Sequence, residues 1–145
     1  MVRRLPVIQT KDAEDAAAEA RPQWHWVVIG TGFIITIWIP LAMIAVAAGR
    51  AFSDALTLLF LVLLSFALAC IAAGALVGRF GGRAGRREAT LSGLVAATAA
   101  WLVAFASGAL TPWPVALASG LILPVLALLF ASWGGRIGIG RRPRL

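Results

Sequence analysis

Acid–base and nucleophilic chemistry needs titratable side chains gathered in a shielded place, and this chain has few to gather. It holds one histidine, His25, one cysteine, Cys70, and six carboxylates, of which Asp12, Glu14, Asp15 and Glu19 crowd the N-terminal segment while Asp54 and Glu88 stand apart. His25 lies between Trp24 and Trp26 with no Cys, Asp or Glu close to it in sequence. It lacks the companions of a metal centre or an acid–base pair and reads as an interfacial histidine. Cys70 sits in an apolar run, where it has no second cysteine to pair with and reads as a small packing residue. The hydroxyls of Thr31, Thr36, Ser65, Thr90, Ser92, Thr98, Ser107, Ser119 and Ser132 complete the inventory. In apolar helices such groups bond to helix carbonyls or bridge neighbouring helices, and in an oligomer they can line a pore.

What the chain has in abundance is arginine beside glycine. Gly81-Gly82-Arg83-Ala84-Gly85 and Gly134-Gly135-Arg136-Ile137-Gly138 repeat one GGRxG string. Glycine after a helix caps it in the left-handed conformation, and arginine beside it reaches lipid phosphates or a partner's carboxylates. The candidate contacts of this kind are Arg79, Arg83, Arg86, Arg87, Arg136, Arg141 and Arg142. The competing explanation is a glycine cap followed by arginines that only set topology. The first string lacks the Lys-Ser/Thr ending of a phosphate-binding loop and follows no strand, and its arginine–glycine tract is too short for RNA binding, so nucleotide and nucleic-acid chemistry are set aside. The repeat hints at a duplicated hairpin, although Pro40 and Pro124 lie at different distances from the two strings.

The elements that must position these residues follow from composition. With 145 residues, 61% hydrophobic and 13% charged, the chain carries more apolar surface than a soluble core of its size can bury. The formal charge of +7 is confined to short clusters between apolar runs, so it acts as a topology signal. Uncharged runs predict four membrane-spanning helices at about 24–49, 55–78, 89–110 and 114–134, the long run from Ala89 to Gly135 being cut at Thr111-Pro112-Trp113-Pro114. Residues 1–23 read as a polar cytoplasmic leader with a short helix near 12–20, recruiting no signal-peptide machinery, and 136–145 as a basic tail. Placing both termini and the central loop on one side puts Arg3, Arg4, Lys11, Arg21, Arg79, Arg83, Arg86, Arg87, Arg136, Arg141, Arg142 and Arg144 there, against Arg50 alone on the other. That asymmetry makes the first side cytoplasmic. Trp24, Trp26, Trp113 and Trp133 fall at the ends of spans as interfacial belt anchors.

Gly74 and Gly78 form a GxxxG, and small residues strew the third span, so Gly74, Gly78, Gly93 and Gly120 are candidate helix-packing positions, either within one bundle or between copies. On Gly81, Gly82, Gly85, Gly93, Gly134, Gly135 and Gly138 the stretch 55–140 resembles a group of small four-helix prokaryotic membrane proteins in which Gly-Gly and basic loops close each helical hairpin. That resemblance implies fold and location and brings no site. The expectation is an all-α integral membrane four-helix bundle of two antiparallel hairpins, multi-pass in a prokaryotic cytoplasmic membrane, with no catalytic residue, cofactor or metal. Its expected partners are anionic lipid head groups and other membrane subunits or itself, and no nucleic acid. An accessory or scaffolding subunit is the leading function, with a small oligomeric transporter or channel as the alternative.

Overall fold

The computed structural model describes residues 24–49, 55–81, 85–106, 108 and 113–141. The polar leader, Arg83, Arg142 and the Thr111-Pro112 turn lie outside the described residues. The described chain is helical: α1 (Trp24–Gly49), α2 (Ala55–Phe80), α3 (Arg86–Ala106) and α4 (Trp113–Gly140). All four are long and apolar enough to cross a membrane. Pro114 falls in the first turn of α4, where its missing amide would have had no helical partner anyway.

Two helices differ from the sequence reading by more than two residues at an end. The third helix starts at Arg86, where Ala89 was expected, because Gly85 and Glu88 make half of a capping box, and it ends at Ala106 where 110 was expected. The Gly85 amide donates to Glu88 Oε2 at 2.6 Å, so the carboxylate three residues into the helix holds the residue that opens it. Glu88 is thereby only 7% exposed, and its charge sits at the favourable positive end of the helix. We expect Glu88→Ala to lower stability by about 1 kcal/mol and Glu88→Gln by less, since the amide oxygen still accepts the bond. Thermal unfolding in mild detergent reads this, and an unchanged midpoint for the alanine variant would show that the cap contributes nothing.

The second difference is larger. The fourth helix continues to Gly140, so the second GGRxG string is helix interior, and the expected glycine cap at Gly134 is wrong. Glycine costs about 1 kcal/mol relative to alanine in a water-exposed helix. Here Gly134, Gly135 and Gly138 are all buried against neighbouring helices, and that packing outweighs the propensity.

Around the bundle the order is α1, α2, α4, α3: α1 and α4 each pack on α2 and α3, α2 and α3 also meet across the middle, and α1 and α4 do not touch among the described residues. A duplicated hairpin would exchange α1 with α3 and α2 with α4. Both pairs are neighbours in that ring, so the exchange is a reflection, which no rotation preserving helix direction performs. The two GGRxG strings therefore do not mark equivalent places.

The core is narrow. Ile34, Phe66, Ala69, Cys70, Ala73, Ala96, Ala97, Ala127 and Ala131 form it, and the many alanines let the helices close on one another. Trp38 stands edge-on to Phe66, ring centroids 5.3 Å apart at 80°. Large apolar side chains such as Met43, Leu56, Val103 and Leu121 are exposed on the outside of all four helices.

Candidate functional site: an arginine rim on glycine-packed helices

The closest approach in the molecule is between α2 and α4. A β-carbon placed on Gly74 would lie 2.5 Å from the Ala131 carbonyl oxygen, and one on Gly78 would overlap the Gly135 carbonyl. From the other side, Gly134 faces the Ile71 carbonyl and Gly138 the Ala75 carbonyl, both too close for any side chain. Backbone meets backbone at this seam, the arrangement in which Cα–H groups contact carbonyl oxygens and dispersion is greatest. Gly93 performs the same service between α3 and α4, where a β-carbon would come 2.7 Å from Ala131 Cβ. Gly120 makes room for the Trp101 indole, whose Nε1 donates to the Ala116 carbonyl at 3.0 Å. Gly74, Gly78, Gly93 and Gly120 thus all face helices of the same chain.

The seam carries charge at one end. Arg79 lies in the last turn of α2, Arg86 and Arg87 open α3, Arg136 lies near the end of α4 and Arg141 directly follows it, all exposed. Glu88 is the only carboxylate among the described residues, and it is turned to the Gly85 amide. The Arg79 guanidinium sits 5.4 Å from the centroid of the exposed Phe80 ring, a cation–π contact. Trp24 at the start of α1 and Trp133 on α4 are exposed, as belt anchors would be. Trp26 is half-buried against Val77 and Ala89.

The remaining candidates for chemistry are occupied structurally. His25 is exposed and stacked on Trp24 at 4.0 Å between ring centroids. Cys70 is fully buried in the core. Ser65 donates to the Val62 carbonyl, Ser92 to Ala89, Thr90 to Arg86, Thr98 to Leu94, Ser119 to Ala116 and Ser132 to Leu129, each one turn back on its own helix. Thr31 bridges helices by donating to the Ser92 carbonyl at 3.2 Å. Among the described residues no three His, Cys, Asp or Glu side chains could share a metal ion. Hollows of about 530 Å³ beside Trp38 and Met43 and about 360 Å³ beside Trp101 and Pro124 open on the outer surface, away from the bundle axis.

Sequence reasoning missed Glu88, which it left in a loop because four arginines surround it. The GxxE spacing from Gly85 was the available signal, weak because the capping residue is glycine and not serine or threonine. The fold and this rim define the class: an all-helical chain of four helices fit to span a membrane, tightly packed through glycine, with a basic end. No family model matches the chain, and no curated protein or solved structure matches it either.

Proposed function

We propose that this chain is a multi-pass protein of a prokaryotic cytoplasmic membrane, built as two antiparallel hairpins with both termini and the arginine rim on the cytoplasmic side. It acts without catalysis, as an accessory or scaffolding subunit that packs against other membrane helices. Support for the hairpins comes from Gly49 lying beside Leu58 at one end of the α1–α2 contact and Gly30 beside Val77 at the other. Support for the orientation comes from the arginine asymmetry.

The observation that carries the accessory reading is the uneven burial of the helices. Only 11% of the most apolar stretch of α1 is buried within the chain, against 33% for α2. Gly32 on α1 has open space in front of it, the kind of small-residue position at which another helix can approach. A transport path has less behind it, since six of the described hydroxyls turn back onto carbonyls of their own helices and the hollows beside Met43 and Pro124 are open to the outside.

Crosslinking in the native membrane, followed by mild-detergent purification and mass spectrometry, tests this. A stoichiometric complex with other membrane proteins is the expected result. A lone monomer with no partner overturns the reading, and a homo-oligomer without partners shifts it to a transporter or channel, to be assayed by liposome flux.

A further inference from the structure

We infer that two copies of this chain pair in the membrane through α1, helix parallel to helix, with Gly32 and Thr36 of each at the crossing point. The inference rests on the membrane reading above and not on the accessory role, since a pair of copies can sit inside a larger complex.

The starting point is a polar group left over. Thr90 and Thr98 donate to carbonyls one turn back on their own helix, and Thr31 reaches the Ser92 carbonyl on α3. The Thr36 hydroxyl makes no such bond to any described residue. Thr36 stands midway along the 26 residues of α1 and is exposed there. At the centre of a span, exposure means lipid, where no water takes up the hydroxyl and an unmet polar group is costly.

The surroundings select a helix as what meets it. Gly32 lies one turn before Thr36 on the same face, with no atom within 4 Å of a β-carbon placed there. A glycine and a threonine at this spacing let a second backbone come close. Ile29 and Met43, each seven residues from Thr36, continue the face and are exposed.

Charge, depth and symmetry select a second copy. A twofold pair sets each residue near its equivalent, so a helix bearing arginine brings like charges together. Arg79, Arg86, Arg87 and Arg136 lie on α2, α3 and α4, whereas α1 is the one described helix without Arg, Lys, Asp or Glu. Copies of one chain insert the same way round, and a twofold axis along the membrane normal then places Thr36 opposite Thr36 at equal depth. A hydroxyl is donor and acceptor at once, which makes Thr36 its own complement. One Oγ1 donates to the other, whose hydrogen turns back to its own Gly32 carbonyl in the manner of Thr90 and Thr98. Met43 and Ala47 also line the outward hollow of about 530 Å³, which leaves room for the flexible Met43 side chain of the second copy.

Single cysteines in a Cys70→Ala background, oxidised with copper phenanthroline in native membranes, read which faces meet. Met43→Cys is expected to give a disulfide-linked product of twice the chain mass, whereas Leu102→Cys on α3 and Leu121→Cys on α4, also exposed, give little. Energy transfer between labelled copies diluted in lipid vesicles then measures the pairing itself. Gly32→Leu meets nothing in its own chain, so it should fold normally and leave no measurable dimer. Thr36→Val should weaken pairing about fivefold, the worth of one hydrogen bond between helices in lipid, and Thr36→Ser should restore it. Unchanged pairing in both Gly32→Leu and Thr36→Val overturns the inference. So does linking at Leu102→Cys or Leu121→Cys as fast as at Met43→Cys, or a Met43→Cys product that holds a different protein and no second copy. Alkaline extraction of the same membranes keeps two failures apart: a chain that washes off refutes the membrane reading as well, and a chain that stays without an α1 dimer refutes this inference alone.

Discussion

Gly134→Leu is expected to leave no folded bundle in mild detergent, and Gly134→Ala to cost about 3 kcal/mol or more, at or above the top of the range for overpacked cores. The reason is what the new atom meets. At most core positions an added methyl displaces the end of a flexible side chain, but at Gly134 it meets the Ile71 carbonyl and Cα, which cannot move without moving α2. The same holds at Gly138, opposite the Ala75 carbonyl, and at Gly78, opposite Gly135. Since α2 and α4 form the longest seam in the molecule, separating them also exposes Gly93 and Ala131 on the α3 side. Gly32→Ala and Gly140→Ala are the controls: nothing lies within 4 Å of either β-carbon position, and alanine's better helix propensity should make each neutral or stabilising by up to about 1 kcal/mol. Unfolding of the purified variants by titration with sodium dodecyl sulfate, followed by circular dichroism, separates the two groups. If Gly134→Ala unfolds at the same detergent fraction as Gly32→Ala, the close approach of α2 and α4 is wrong.

Most of the fold was legible because its signal is run length. Two uncharged stretches of twenty-odd residues and a third about twice as long, cut at Thr111-Pro112-Trp113-Pro114, leave little freedom, and α1 and the start of α2 fall where they were expected. What failed was the reading of glycine. Gly81 and Gly134 begin strings of the same GGRxG pattern, yet α2 ends one residue before Gly81 while Gly134 lies inside α4. Local sequence cannot tell these apart, because the difference is the partner backbone of Ile71 and Ala75, more than fifty residues away in the chain. Trp26 is a related case: a tryptophan at a span end reads as an anchor from sequence, and its packing on Val77 and Ala89 shows only in the fold. The arginines of the rim were visible as a charge pattern.

Cys70 offers the sharpest test of whether the bundle centre is dry. It is fully buried among Phe66, Ala69 and Ala73, near the middle of α2 and of the core. Alkylation by a maleimide requires the thiolate, and a thiolate requires water or a charged neighbour, neither of which a core of alanine and phenylalanine offers. A water-soluble maleimide should therefore modify Cys70 in the intact protein at least about a hundredfold more slowly than in the sodium dodecyl sulfate-unfolded chain, the ratio set by an opening free energy of about 3 kcal/mol or more. Arg141→Cys in a Cys70→Ala background supplies an exposed thiol at the end of α4, which should react without unfolding. The comparison bears on function as well as on packing. A path for ions or solutes through one copy of this chain would run along the axis past Ser65 and Ser92, whose hydroxyls are turned to the Val62 and Ala89 carbonyls. Freeing those hydroxyls to line a path would bring water to within about a turn and a half of Cys70 along α2. Labelling of Cys70 at the rate of the exposed control would thus establish an aqueous interior and move the reading from subunit to transporter, whereas protection means that any function is exercised on the outer surface and the arginine rim.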